Sequence, residues 1–120
     1  MKIVNLFKAT CVAMGLVSLT AHAGASNEFR KACQATSGTL WEEQVLTKYS
    51  ADTNTKHKGM YVVSESGDVW RIPGAQYYPE NAIIRDANNL AMLAVISGVP
   101  VSICSTTKTT PNEVWSIELG

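Results

Sequence analysis

The chain has 120 residues, with ten Lys and Arg against ten Asp and Glu and therefore no formal net charge. That balance leaves no electrostatic footprint for nucleic acid or an anionic membrane surface. The length suits one domain, close to the size at which a covalent staple helps.

The N-terminus reads as a secretory leader. Lys2 and Lys8 precede an apolar run from Cys11 to Leu19, and Ala21-His22-Ala23 supplies the small-x-small triplet accepted by a signal peptidase. The apolar run is about nine residues, against the roughly 20 needed to span a bilayer. The expectation is a cleaved signal peptide over 1–23, a single domain over 24–120 and no transmembrane anchor. Cleavage removes two lysines, one cysteine and one histidine, leaving eight bases against ten acids, a net charge of −2. The two remaining cysteines, Cys33 and Cys104, read as a disulfide in an oxidising compartment. Closing a loop of about 70 residues would stabilise the fold by roughly 4 kcal/mol in the chain-entropy model. A reactive or metal-binding pair would want a C-x-x-C spacing or supporting histidines, and neither is present.

Ser26 is a capping residue for a short helix that carries Glu28 early and Lys31 late and stops near Gly38. From Leu40 to Tyr49 the pattern predicts one strand with Trp41, Val45 and Tyr49 on a common face, followed by a polar loop from Ser50 to Lys58. Met60 to Val63 and Val69 to Ile72 predict a hairpin turning through Ser64 to Asp68, and Pro73-Gly74 ends its second strand. Pro79 and Glu80 precede a long helix running to Ser97. Ile83, Ala87 and Leu90 give its first half an inner stripe, whereas Leu90 to Ile96 is apolar nearly all round. A domain this small buries one side of such a helix, so the other side calls for a partner, unless the sheet curls around it. Val101 to Cys104 and Val114 to Leu119 predict the last two strands, with Trp115, Ile117 and Leu119 facing one way. Five short strands, a short N-terminal helix and a long helix between strands 3 and 4 match the five-stranded Greek-key barrel of the OB-fold, a β-rich α+β architecture.

The parts needed for catalysis are missing. One histidine, His57, in a polar loop supports neither a metal site nor a Ser-His-Asp triad. Glu42 and Glu43 are neighbours on a strand and point to opposite faces, which does not suit a two-carboxylate glycosidase. No glycine-rich phosphate loop is present. We therefore expect no enzyme, no cofactor and no metal. Trp41, Trp70 and Trp115 each lie in a strand pattern where an aromatic is usually core rather than a base-stacking surface. A shallow sugar site asks only for hydroxyls, amides and an aromatic edge. Thr36-Ser37, the Thr53 to Lys58 loop and Gln76-Tyr77 offer such groups, as ordinary solvated loops also do.

These residues resemble a known family across the whole mature chain. The carriers are Ala-His-Ala-Gly-Ala-Ser at the cleavage site, Leu46-Thr-Lys-Tyr49, Gly59-Met-Tyr-Val-Val-Ser64, Val69-Trp-Arg-Ile-Pro-Gly74, Tyr78-Pro79, the Ala-Met-x-Ala-Val-x-Ser helix at 91–97 and Pro111-Asn-x-x-Trp-x-Ile-Glu-Leu119. They are similar to the B subunits of type II heat-labile enterotoxins, relatives of the cholera toxin B subunit. The resemblance implies a homopentameric ring whose long helices line a pore, an ADP-ribosylating A subunit seated on the ring, and host gangliosides bound on the opposite face. It also implies a protein secreted through the periplasm that acts at the host cell surface. Five linked sites bind a membrane far better than one.

In that family two threonines after the first cysteine and a third before the Gly-Met-Tyr strand bear on ganglioside choice. Here those positions hold Thr36, Ser37 and His57; Ser37 keeps a hydroxyl, while His57 brings a larger ring that titrates near neutral pH. Gln76 and Tyr77 fall in a connection that touches sugar in cholera-type relatives. Met92, Leu93, Ile96 and Ser97 fall where type II rings present a pore rim that engages Toll-like receptors, Leu93 replacing the usual alanine. The rival from another class is a monomeric periplasmic inhibitor or scaffold protein.

Overall fold

A computed structural model of the chain describes residues 24–53, 59–73 and 81–120. The elements are α1 (Asn27–Gln34), β1 (Thr39–Gln44), β2 (Leu46–Asp52), β3 (Gly59–Ser64), β4 (Val69–Pro73), α2 (Asn81–Ser97), β5 (Val101–Ser105) and β6 (Asn112–Leu119). Among the described residues no helix is long and apolar enough to cross a membrane.

Ser26 caps α1 as its residue type requires, its Oγ accepting from the Phe29 amide at 3.2 Å. The helix stops at Gln34, four residues before the expected glycine. Thr36 accounts for the early stop: its Oγ1 donates to the Cys33 carbonyl at 2.6 Å and accepts from the Gly38 amide at 3.0 Å, so a side chain satisfies backbone groups that another turn would have used. Cys33 is joined to Cys104 of β5, with Cα atoms 5.7 Å apart.

The stretch expected as one strand is two. Glu43 has φ 55°, and the pairing registers shift between Trp41 and Gln44 on one side and between Leu46 and Lys48 on the other. An extra residue at a bulge reverses the side-chain parity and bends the strand. Leu46 is therefore the fully buried residue here and Val45 only half-buried, while Trp41 and Tyr49 still pack on the core. The bend also closes the fold. Strand order is β1-β5-β6-β4-β3-β2, so the two outermost strands are consecutive in sequence with Val45 alone between them. Read as one bent strand, β1 and β2 bring the total to five, with a short parallel β4–β6 contact, an OB-like barrel with the long helix between the third and fourth strands. The 60–72 hairpin has the expected turn.

The barrel interior holds Trp70, Ile72, Val62, Leu46, Val101, Ile103 and Val114. Trp41 meets Trp70 edge to face, centroids 5.5 Å apart, and satisfies its indole N–H on Ser105 Oγ at 2.9 Å. α2 covers the core through Ala91 and Ala94, with Ala87 and Val95 beside them. This seam differs from the expected Ile83–Ala87–Leu90 stripe, for Ile83 is 65% exposed. Alanines let the helix backbone approach the sheet closely, and the longer side chains turn outward.

A second parity change lies in β6. Cys104 pairs with Ser116 and Ser105 with Val114, so Trp115 is the bulged residue. Val114 turns inward and Ile117 and Leu119 rest on the core. Trp115, expected to face the same way, is instead 44% exposed.

Candidate functional site

Two surfaces stand apart from an ordinary solvated exterior. The first is the outer side of α2. Ile83, Leu93 at 50%, Met92 at 39% and Ile96 at 83% exposure are all uncovered. Beside them an open groove of about 570 Å³ runs between α2 and β2, its walls including Lys48, Tyr49, Val63, Met92, Val95 and Ile96. The groove is apolar for the most part, and Tyr49 is fixed at its side by an O–H donated to Asn88 Oδ1 at 3.0 Å. Burial pushes the Tyr49 hydroxyl above its ordinary pKa, so it remains a neutral donor. Met92, Leu93, Ile96 and Ser97 lie together on this C-terminal half of the helix, and Ser97 Oγ is used locally, accepting from the Val99 amide at 3.2 Å.

The second surface is the corner where the end of α1 meets β5 and β6. Thr36 and Ser37 are both exposed there, on the turn that Thr36 itself holds. Gly38 follows, and a side chain at 38 would come within 3.0 Å of Cys104 Sγ, the Ser105 carbonyl and Trp115 Cε3, so glycine is what lets these groups converge. Thr36 Oγ1 lies 3.9 Å from Cys104 Sγ, which ties the turn to the disulfide. The β5–β6 turn adds hydroxyls: Thr106 Oγ1 accepts from the Glu113 amide at 2.8 Å and pairs with Thr109 Oγ1 at 2.7 Å.

The N-terminal side of this corner is pinned by charge. Arg30 meets Glu42 at 2.6 Å, the Ala25 amide donates to the same Glu42 oxygen, and Ser26 donates from N and Oγ to Glu118. The Arg30 hydrogen bond, then the Ala25 amide, hold the Glu42 carboxyl below its ordinary pKa. Arg71 and Glu113 form a second, less exposed ion pair. Among the described residues no cluster of His, Cys, Asp and Glu could hold a metal.

Of the site residues expected from the sequence, Thr36 and Ser37 fall side by side at this corner. His57, Gln76 and Tyr77 lie outside the described residues. Trp115 was missed as a surface group, because strand alternation placed it inside.

Comparison with known proteins settles the family. The model of the type II heat-labile enterotoxin B subunit matches residues 1–120. The chain belongs to the type II heat-labile enterotoxin B-subunit family. It is 44% identical over 115 residues to the heat-labile enterotoxin IIB B chain of Escherichia coli, covering 96% of this chain and 94% of that one. It is 40% identical over 105 residues to the enterotoxin IIA B chain of the same organism, covering 88% and 85%. Its fold is similar to the GM1-bound form of the ECX AB5 holotoxin, with a TM-score of 0.66 at 16% identity over 80% of this chain and 97% of that chain. It is also similar to the cholera toxin-like B subunit from Citrobacter freundii, with a TM-score of 0.62 at 15% identity over 80% and 100%. A type II B subunit is a receptor-binding, non-catalytic subunit, in agreement with the missing catalytic parts.

Proposed function

We propose that residues 24–120, released by cleavage before Gly24, assemble as a homopentamer that binds sialylated ganglioside glycans and carries one ADP-ribosylating A subunit to host cells. The observation that carries the reading is the uncovered apolar side of α2, from Ile83 to Ile96, in a chain of this family. Exposed large side chains in a row along a helix are the mark of a protein interface. Among solved structures of this fold are a heat-labile enterotoxin B pentamer in complex with lacto-N-neohexaose and the GM1-bound holotoxin, which supports both the ring and the sugar.

Under this reading the chain is secreted through the periplasm, where the Cys33–Cys104 bridge forms. Thr36 and Ser37 supply hydroxyls to the glycan. His57, Gln76 and Tyr77 join them on the strength of the family resemblance. Met92, Leu93, Ile96 and Ser97 form the rim for a Toll-like receptor contact.

Two measurements test the reading. Sedimentation of the mature protein gives a mass near five subunits; a stable monomer favours the rival inhibitor or scaffold. On a glycan array the ring binds sialylated ganglioside oligosaccharides, Thr36→Ser retains that binding, and Thr36→Ile loses it with the ring intact. Unchanged binding by Thr36→Ile removes Thr36 from the site.

A further inference from the structure

Residues 24–26, which open the mature segment, are held by acids from two strands. The Ala25 amide donates to Glu42 Oε1 at 2.9 Å, and the Ser26 amide and Oγ donate to Glu118 at 2.8 and 2.6 Å. Arg30 joins the same cluster, donating to Glu42 Oε1 at 2.6 Å and to the Ala25 carbonyl at 3.5 Å. Trp41 pairs with Ile103 and Ser102 with Glu118, so strand alternation puts Glu42 on the same face of the sheet as Ser102 and Glu118. Gly24 lies against these acids. A Cβ at 24 would be 3.1 Å from Glu42 Oε1, and the φ of 86° is one that glycine adopts freely.

The charge at position 24 depends on processing. While a leader is attached the Gly24 nitrogen is a neutral amide, and cleavage before Gly24 turns it into an α-ammonium. That nitrogen is two bonds from the Cβ position and hence within about 6 Å of Glu42 Oε1, a range in which an opposite charge favours ionisation. The titratable groups around it are Glu28 and Arg30 on α1, Glu42 on β1 and Glu118 on β6, while β5 offers the uncharged Ser102. Three acids outnumber one base. The start of α1 adds a partial positive charge of about half a unit, which does not cancel the surplus. A cation formed at Gly24 therefore meets surroundings that are already negative.

Resting on the cleavage before Gly24 given above, we propose that maturation completes an ion-pair site: the new α-ammonium of Gly24 binds Glu42 and fastens the N-terminal segment to the sheet, a contact the precursor lacks. Processing then finishes the fold as well as releasing it. The ammonium gains a partner on folding, so its pKa is raised in the folded protein. Its stabilisation is present below the ordinary α-amino range of about 7.7–8.0 and is lost as pH rises through the folded value. Solvent reaches both Arg30 and Glu42, which keeps the effect modest.

The test uses the exported protein, with its first residue read by mass spectrometry and its α-amino group titrated by trace labelling with acetic anhydride over a range of pH. The midpoint should lie about one pH unit above the ordinary α-amino range, and Glu42→Gln should bring it back into that range. A protein acetylated at its α-amino group should unfold at a lower urea concentration than the parent at neutral pH, and at the same concentration once the pH exceeds the folded value. An α-amino group that titrates in the ordinary range, or one that stays raised in Glu42→Gln, overturns the ion pair and leaves the cleavage standing. An exported protein that begins elsewhere than at Gly24 overturns the cleavage, and the ion pair with it. Should Glu42→Gln fail to fold, the titration of the parent decides.

Discussion

The outer side of α2 and the α1–β5–β6 corner are both exposed, yet they are built on opposite principles. The helix side is a strip of long apolar side chains, Ile83, Met92, Leu93 and Ile96, two of which line the groove against β2. The corner is polar and over-determined, with a disulfide, a side-chain-held turn, two clamps from Glu42 and Glu118, and the part-exposed Trp115 ring close to Gly38. An apolar strip gains from any surface of matching shape that excludes water, as a second protein copy does. A small polar ligand gives little area, so the surface that takes it must be ordered beforehand. On the proposed function, the contrast gives assembly to the helix and recognition to the corner.

The largest effect should come from removing the staple of the corner. Replacing Cys33 and Cys104 together by Ala opens a loop with a sequence separation of 71. It should cost about 4 kcal/mol, a large share of a small domain's stability. Urea unfolding followed by circular dichroism measures it, and a midpoint unchanged from the parent would refute a structural role for the bridge.

On the helix side the expected effect is one of assembly rather than folding. Ile96→Lys places a charge on the most exposed of these apolar side chains. Monomer stability should change by less than about 0.5 kcal/mol, while the sedimenting mass falls from five subunits to one. A variant that still forms rings would place the interface elsewhere.

The smallest effect is a pH dependence. Glu42 has a depressed pKa in the fold, relative to an ordinary value of 4.5, so its contribution is present above that value and is lost as pH falls through the folded value. Glu42→Gln should therefore be slightly less stable than the parent at neutral pH, and the difference should vanish on acidification. Solvent screens the exposed pair, which keeps the difference small. A gap that widens as pH falls would reverse the assignment.

What could be read in the sequence was local. The 60–72 hairpin, the Ser26 cap and the pairing of two cysteines each depend on residues near one another or on simple parity. The OB-like order followed from element sequence alone. Both strand errors arose at bulges, after Trp41 and at Trp115, where register depends on a partner strand far away in sequence. The stripe on α2 was misplaced because a helix apolar on several sides has no periodic signal; close packing then chose alanines over isoleucine. Thr36 and Ser37 were expected as site residues through family resemblance, and the structure shows the turn on which the two lie. Trp115 was hidden by the same alternation that correctly buried Trp70.

The bend at Glu43 has a dynamic consequence. A sheet usually frays from an outer strand, since such a strand has one neighbour and can leave alone. In this barrel both outermost strands are halves of a single segment, one on β5 and the other on β3. Loosening either half pulls on the far side of the molecule, so slow amide exchange should extend across the whole girdle and be lost together.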